Sequence, residues 1–273
     1  MAELTAPPAP TSTTRRRGAS IARGTGTLLM VVGALLLVWG FWTWQWGDPV
    51  TRLYASWEQR QLAEQHSKQV ASFGNVWRGL ELKPVRPSAK HQPVPVAPPQ
   101  LLRRLHAEAK AYRASLDAGD AVARLRVPRL ELDAIVIEGT GAADLRRGPG
   151  RDERTFMPGE GELAYVAGHR TTFGAPFAHI DRLRPGDLAT IEMPYATLTY
   201  RVTGNRIVPA TQMSVLKTRG HDELALQACH PRFFAKERYI VYASLASIRL
   251  PEEAGGATYR MRGATYRVRP SST

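Results

Sequence analysis

"LALQACHPRFFAKERYIV", residues 224–241, holds the one cysteine of the chain, Cys229, between an alternating apolar run and a second run that opens on Arg238. In "LALQAC" a period of two sets Leu224, Leu226 and Ala228 on one face and Ala225, Gln227 and Cys229 on the other. The leucines mark the core face. Cys229 is therefore expected at the end of a strand, on its less apolar side. Residues 230–237 read as a loop between neighbouring antiparallel strands, which brings Arg238 close to Cys229. A thiol in that position points to a reactive group more than to a small buried filler.

A thiol reacts as its thiolate, and a neighbouring imidazolium or guanidinium is the usual way to obtain one. Adjacent side chains on a strand point oppositely, so His230 is a poor partner for Cys229. His169 is the better one: in "AYVAGHRTTFGAP" it directly follows a strand, at a Gly-His junction backed by hydroxyls and a turn. His179, beside apolar neighbours, is expected to be structural, and His221 in "RGHDE" to be solvated. A guanidinium at Arg238 could donate hydrogen bonds to a carbonyl oxygen as it becomes an oxyanion.

Around this pair, residues 121–249 alternate short apolar runs with turn signals: "VARLRVP", "LDAIVIEG", "GELAYVAG", "LATIEM", "ATLTYRVTGNRIVP", "DELALQAC" and "RYIVYASL". That count of strands without a long helix predicts an all-β domain, a small barrel or sandwich. One or two helical turns are expected in "APFAHIDRLR", with Phe177, Ile180 and Leu183 or Leu188 on a shared face.

Upstream, "TLLMVVGALLLVWGFWTWQW", residues 27–46, has no charged residue and enough length to cross a ~30 Å hydrocarbon layer as a helix. It is longer than a signal-peptide core, and no Ala-x-Ala-like site follows Trp46. Trp39, Trp42, Trp44 and Trp46 crowd one end, and Arg15, Arg16, Arg17 and Arg23 precede the other. The expected topology is a single-pass membrane protein, with residues 1–26 a disordered cytoplasmic tail and everything after Trp46 outside. Residues 47–120 are expected to form an extracellular stalk: a helix over 50–73, a Pro-rich spacer over 83–99, and a second helix near 101–116. Residues 250–273, with "GATYR" twice, are expected to be a basic C-terminal tail.

The formal net charge of +13 is spread along the chain: +3 in 1–26, +4 in 47–121, +4 in 122–249 and +2 in 250–273. No segment carries a basic stripe, so no nucleic-acid partner is expected; the charge suits an anionic membrane lipid face and acidic wall polymers. "GTGAAD" at 139–144 fails the dinucleotide fingerprint, and one cysteine with seven scattered histidines gives no metal-ligand spacing. No cofactor or metal is expected.

The order His, Cys, eight residues, Arg on a small β domain resembles the sortases, membrane-anchored cysteine transpeptidases of Gram-positive surfaces. "AYVAGHRTTFGAPFAHIDRLRPGD", "LALQACHPRFFAKERYIVYASL", "VPRLELDAIVIEGTGAADLRRGPG" and "FMPGEGELAYVAGHR" carry the likeness, over about 124–248, and it is greatest to class E, known from high-GC Gram-positive bacteria. The resemblance implies a closed eight-stranded β-barrel, with His169, Cys229 and Arg238 as the catalytic set. It implies cleavage of a C-terminal Leu-Ala-x-Thr-Gly-like sorting signal between Thr and Gly, on surface proteins. The acyl group would then pass to the amine of a lipid-linked peptidoglycan precursor. A peptidase releasing product to water and a non-catalytic envelope adaptor are the alternatives. The family's usual Thr-Leu-x-Thr-Cys run is "ALQAC" here, with Ala225 and Ala228 in place of threonines; Ala228→Thr is expected to be tolerated and to shift peptide preference or rate.

Overall fold

The quoted alternation forms strand β7, Glu223–His230, and the run after it forms β8, Glu237–Arg249. The structure, a computed structural model, describes residues 14–46, 49–73, 77 and 94–263. Before β7 lie β1 (Ala121–Val127), β2 (Leu132–Glu138), β3 (Gly150–Arg151), β4 (Leu163–Ala167), β5 (Leu188–Glu192) and β6 (Thr197–Pro209); β9 (Thr258–Arg260) follows β8. The hydrogen-bonded order is β6-β5-β1-β2-β3-β4-β7-β8-β9, and β6 pairs with β8 as well. Strands β1 to β8 therefore close into the expected eight-stranded barrel, which removes free edges, and β9 continues outward from β8.

Alternation decides which side of β7 meets the core. Leu224, Leu226 and Ala228 pack with Leu125, Val166, Ile191 and Val241 in the main cluster. Ala225 belongs to a smaller cluster on the other face, with Leu163, Tyr165, Val208, Ile240 and Tyr242. Val215 and Leu216, from the connection between β6 and β7, cover that second cluster. Strand β4 is buried at all five positions, as befits a strand paired in parallel with β7 and covered on both sides.

Four helices accompany the strands among the described residues: α1 (Thr14–Trp46), α2 (Pro49–Ser72), α3 (Pro99–Ala114) and α4 (Ala142–Arg147). Helix α3 starts where Pro98-Pro99 can, since a proline in the first turn sacrifices no helical hydrogen bond. It buries Leu101, Leu105, Ala109 and Tyr112 in the main core. Helix α2 buries Leu62 against Ala121, Ile135 and Ile137, and the Gln59 side chain both donates to and accepts from the Ile135 backbone. Residues expected to stand off as a stalk are thus folded onto the barrel. The Pro-rich spacer falls mostly outside the described residues.

Two further expectations change. In "APFAHIDRLR", Phe177, Ile180 and Leu183 are buried together as expected, but only Ile180–Arg182 is helical, as a single 3-10 turn. The first "GATYR" is not a loose tail: it supplies β9, held by β8 and by a bridge between Val96 and Arg260. The second copy runs outside the described residues.

Two compact units divide the chain, Met1–Gly47 and Asp48–Thr273. In the first, α1 exposes Leu28, Leu29, Leu35, Leu36, Leu37 and Phe41. Among the described residues no helix is long and apolar enough to cross a membrane. The side chains of α1 are described over 25–41, short of the ~20 apolar residues that a spanning helix needs.

Candidate active site

Two ladders converge on Cys229. On one side β7 and β8 are antiparallel, and Cys229 is the register partner of Arg238. On the other, β4 and β7 are parallel with Ala167 opposite Gln227, and the Gly168 N–H donates to the Gln227 carbonyl at 3.0 Å. His169 and Cys229 are each two residues beyond that last paired rung, so the same register that aligns the strands carries both side chains to one end of them. Strand spacing of ~4.8 Å then sets Cys229 between a histidine and an arginine.

All three side chains line one groove of about 270 Å³, on the face of β7 away from the main core. Its walls include Tyr165 and Gln227 from the sheet, Leu145 from α4, and Gln212, Met213 and Leu216 from the connection after β6. Asp152 and Arg154 add an ion pair at 2.6 Å to the rim. Cys229, His169 and Arg238 are each half-buried, reachable from solvent yet partly desolvated.

The junction before His169 requires glycine for a steric reason. A Cβ on Gly168 would come within 2.6 Å of Phe177 Cδ2 and 3.2 Å of Pro176 Cγ, and the Phe177 ring is fully buried. After the junction the chain turns so that the Phe173 ring lies 5.1 Å from the His169 ring, between centroids. Phe173 has a φ of 50°, a left-handed backbone seldom adopted by an aromatic residue. Its N–H donates to Thr51 Oγ1 at 3.1 Å, so α2 helps hold this loop. The Arg146 guanidinium sits 5.9 Å from the Phe173 ring centroid. Burial, and after it the Arg146 charge, push the His169 imidazole below the ordinary histidine value. That shift favours the neutral imidazole.

Arg238 donates from Nη1 to the carbonyls of Ala235 and Glu237 at 2.9 and 3.0 Å. These bonds hold its stem beside the loop of 231–236 while the planar fork retains other N–H groups. His230 turns away from the groove, as alternation requires, and its Nδ1 accepts from Arg170 Nη1 at 3.0 Å. His221 is exposed as expected; His179, expected to be structural, is exposed too. Ala228 is fully buried in the main core, so the departure from the family's threonine at that position lies on the far side of the strand from the groove. Among the described residues no group of three or more His, Cys, Asp or Glu converges on a metal-sized site.

Sequence reasoning missed Arg170, Phe173 and Arg146. Arg170 stands next to His169 in the quoted motif, and a basic residue there was the available signal. The other two meet through a contact between α4 and the loop after His169.

A family model described as "Sortase domain" matches residues 125–246. Sortase D of Bacillus subtilis is 29% identical over 130 residues, 46% of this chain and 64% of that protein. Sortase SrtE1 of Streptomyces coelicolor is 30% identical over 161 residues, 52% of this chain and 45% of that protein. This chain thus spans less than two thirds of the length of either relative. Among solved structures, sortase E from Streptomyces avermitilis is 30% identical, covering 50% of this chain and 95% of that one with a TM-score of 0.46. The segment similar to the sortase domain, residues 125–246, contains the whole groove and both ladders that converge on Cys229.

Proposed function

We propose that this protein is a membrane-anchored cysteine transpeptidase in which Cys229 is the nucleophile, His169 the general base and acid, and Arg238 the oxyanion donor. The observation that carries the reading is the convergence of the three side chains in one groove, with Cys229 set between the strand that leads to His169 and the strand that begins at Arg238.

Burial and the Arg146 charge hold the His169 imidazole below its ordinary value, which favours the neutral form that can accept a proton. His169 takes the thiol proton as Sγ bonds to the threonine carbonyl carbon of a sorting signal. The carbonyl oxygen becomes an oxyanion, which Arg238 meets with a charged donor. The C–N bond to glycine breaks as His169 returns the proton to the departing amine, leaving a thioester on Cys229. An acceptor amine attacks that thioester and His169 takes its proton. The C–S bond breaks, the amide forms, and Cys229 regains a thiol.

The substrate in this reading is a surface protein with a C-terminal Leu-Ala-x-Thr-Gly-like signal. The acceptor is the amine of a lipid-linked peptidoglycan precursor. Helix α1, with its exposed apolar side chains, is the single-pass anchor, the N-terminus lying in the cytoplasm and the barrel outside. The test mixes the full chain with a Leu-Ala-x-Thr-Gly peptide, with and without a glycine- or diaminopimelate-type amine. Amide product that depends on the amine supports the reading; hydrolysis at one rate in both conditions, with no amide, replaces it with a peptidase.

A further inference from the structure

We propose that Arg170 is the positioning residue of the reacting pair, an inference that rests on Cys229 and His169 being the groups that react. Arg170 directly follows His169. Its Nη1 donates to the Cys229 carbonyl at 3.2 Å and to His230 Nδ1 at 3.0 Å, and its Nη2 donates to Asp181 Oδ1 at 2.8 Å. One cation therefore joins the end of β7, the loop bearing His169, and the 3-10 turn Ile180–Arg182.

The tie falls where the backbone ladder stops. Between β4 and β7 the pairing ends at Ala167 and Gln227, with one further bond from Gly168 N–H to Gln227. Beyond that rung, the guanidinium supplies the connection between the chain at His169 and the chain at Cys229. Fixing the Cys229 carbonyl fixes the peptide plane after the nucleophile, and so the direction in which Sγ leaves the strand end.

Arg170 is held at a cost that stability alone does not explain. Its side chain is 5% exposed, while its partner Asp181 is 51% exposed and shares its charge with solvent. Its Nε is buried with no hydrogen-bond partner. A buried ion pair is often no better for stability than an apolar filler of similar volume. What the filler lacks is a planar fork able to reach three acceptors at once. Lysine, a single point donor, lacks it as well.

The experiment compares the full chain with Arg170→Gln, Arg170→Lys and Asp181→Asn. It reads kcat and KM on a Leu-Ala-x-Thr-Gly peptide, the rate of Cys229 alkylation by iodoacetamide, and the melting temperature. Misplacing reacting groups by about 1 Å can cost on the order of 100-fold. Arg170→Gln is therefore expected to lower kcat by about 10- to 100-fold, leave KM within about 2-fold and slow alkylation, with Arg170→Lys recovering only part. Asp181→Asn, which frees Nη2 at an exposed partner, is expected to fall between parent and Arg170→Gln. If Arg170→Gln folds and keeps both kcat and alkylation within about 2-fold of the parent, the positioning role is wrong. If Arg170→Gln fails to fold, Arg170→Lys and Asp181→Asn decide by the same criterion. Should the parent turn out not to transfer acyl groups, the alkylation rates still judge Arg170 while the transpeptidase reading fails separately.

Discussion

Arg238 lies directly across the β7–β8 ladder from Cys229, one rung inside the pair formed by His230 and Glu237. The antiparallel register makes this placement stiff, because a slip of one residue would turn both side chains to the opposite faces of their strands. Arg238→Lys keeps the charge but loses the planar fork, so kcat is expected to fall by ~10-fold or more with little change in KM. Steady-state kinetics on a sorting-signal peptide check this, and an unchanged kcat removes Arg238 from the oxyanion role.

The pH profile follows from the environment of His169. Burial and the Arg146 charge hold its pKa down, which keeps the base neutral, and the protein active, to lower pH than an ordinary histidine would allow. Removing the charge with Arg146→Gln raises the His169 pKa, so the acid limb of kcat/KM moves to higher pH. An NMR titration of the His169 ring should move in the same direction. No movement in either measurement contradicts the electrostatic link through the Phe173 loop.

Ala228→Thr separates the core from the groove. Because Ala228 is fully buried among Leu224, Leu226 and their neighbours, the larger polar side chain is expected to destabilise the fold by about 1–3 kcal/mol. Peptide preference should be unchanged, since the side chain faces away from the substrate. Denaturant melts and a competition between two signal peptides test both halves; an altered preference with intact stability would place residue 228 in the groove after all.

Asp222 gives the barrel a pH dependence of its own. Its carboxylate accepts from Tyr200 at 2.6 Å and from the Gly161 N–H at 3.1 Å, yet burial raises its pKa from 3.8 to about 6. A carboxyl raised on folding contributes stability that is fully present below its unfolded pKa and lost as pH rises through about 6. On the order of 3 kcal/mol is at stake between pH 4 and 7. The melting temperature of the parent should therefore fall relative to Asp222→Asn across that interval. A constant difference between the two shows that Asp222 does not titrate there.

What the sequence disclosed depended on whether a residue's surroundings leave a periodic trace. Strand β7 was legible because one face carries leucines and the other Gln227 and Cys229, a contrast with period two. The proximity of Cys229 and Arg238 followed from the short loop between their strands. Helix α2 was legible as a helix but its buried face was not: Leu53 and Trp57 are exposed, while Ala55, Leu62 and His66 are buried. An alanine and a histidine do not register as an apolar stripe, so a helix docked on the barrel looked like a stalk. Strand β3, at two residues, is too short to show any alternation. The Arg170 tie spans three separate segments, and only the folded register brings them together.

The central claim is that Cys229 takes the acyl group with His169 as its base, and intact-mass spectrometry of the full chain mixed with a Leu-Ala-x-Thr-Gly peptide tests it most directly. The account predicts a thioester adduct that maps to Cys229, disappears when an acceptor amine is added, and is absent in both Cys229→Ala and His169→Ala. Turnover of the peptide by Cys229→Ala at the parent rate, with no adduct on any residue of the parent, would contradict it.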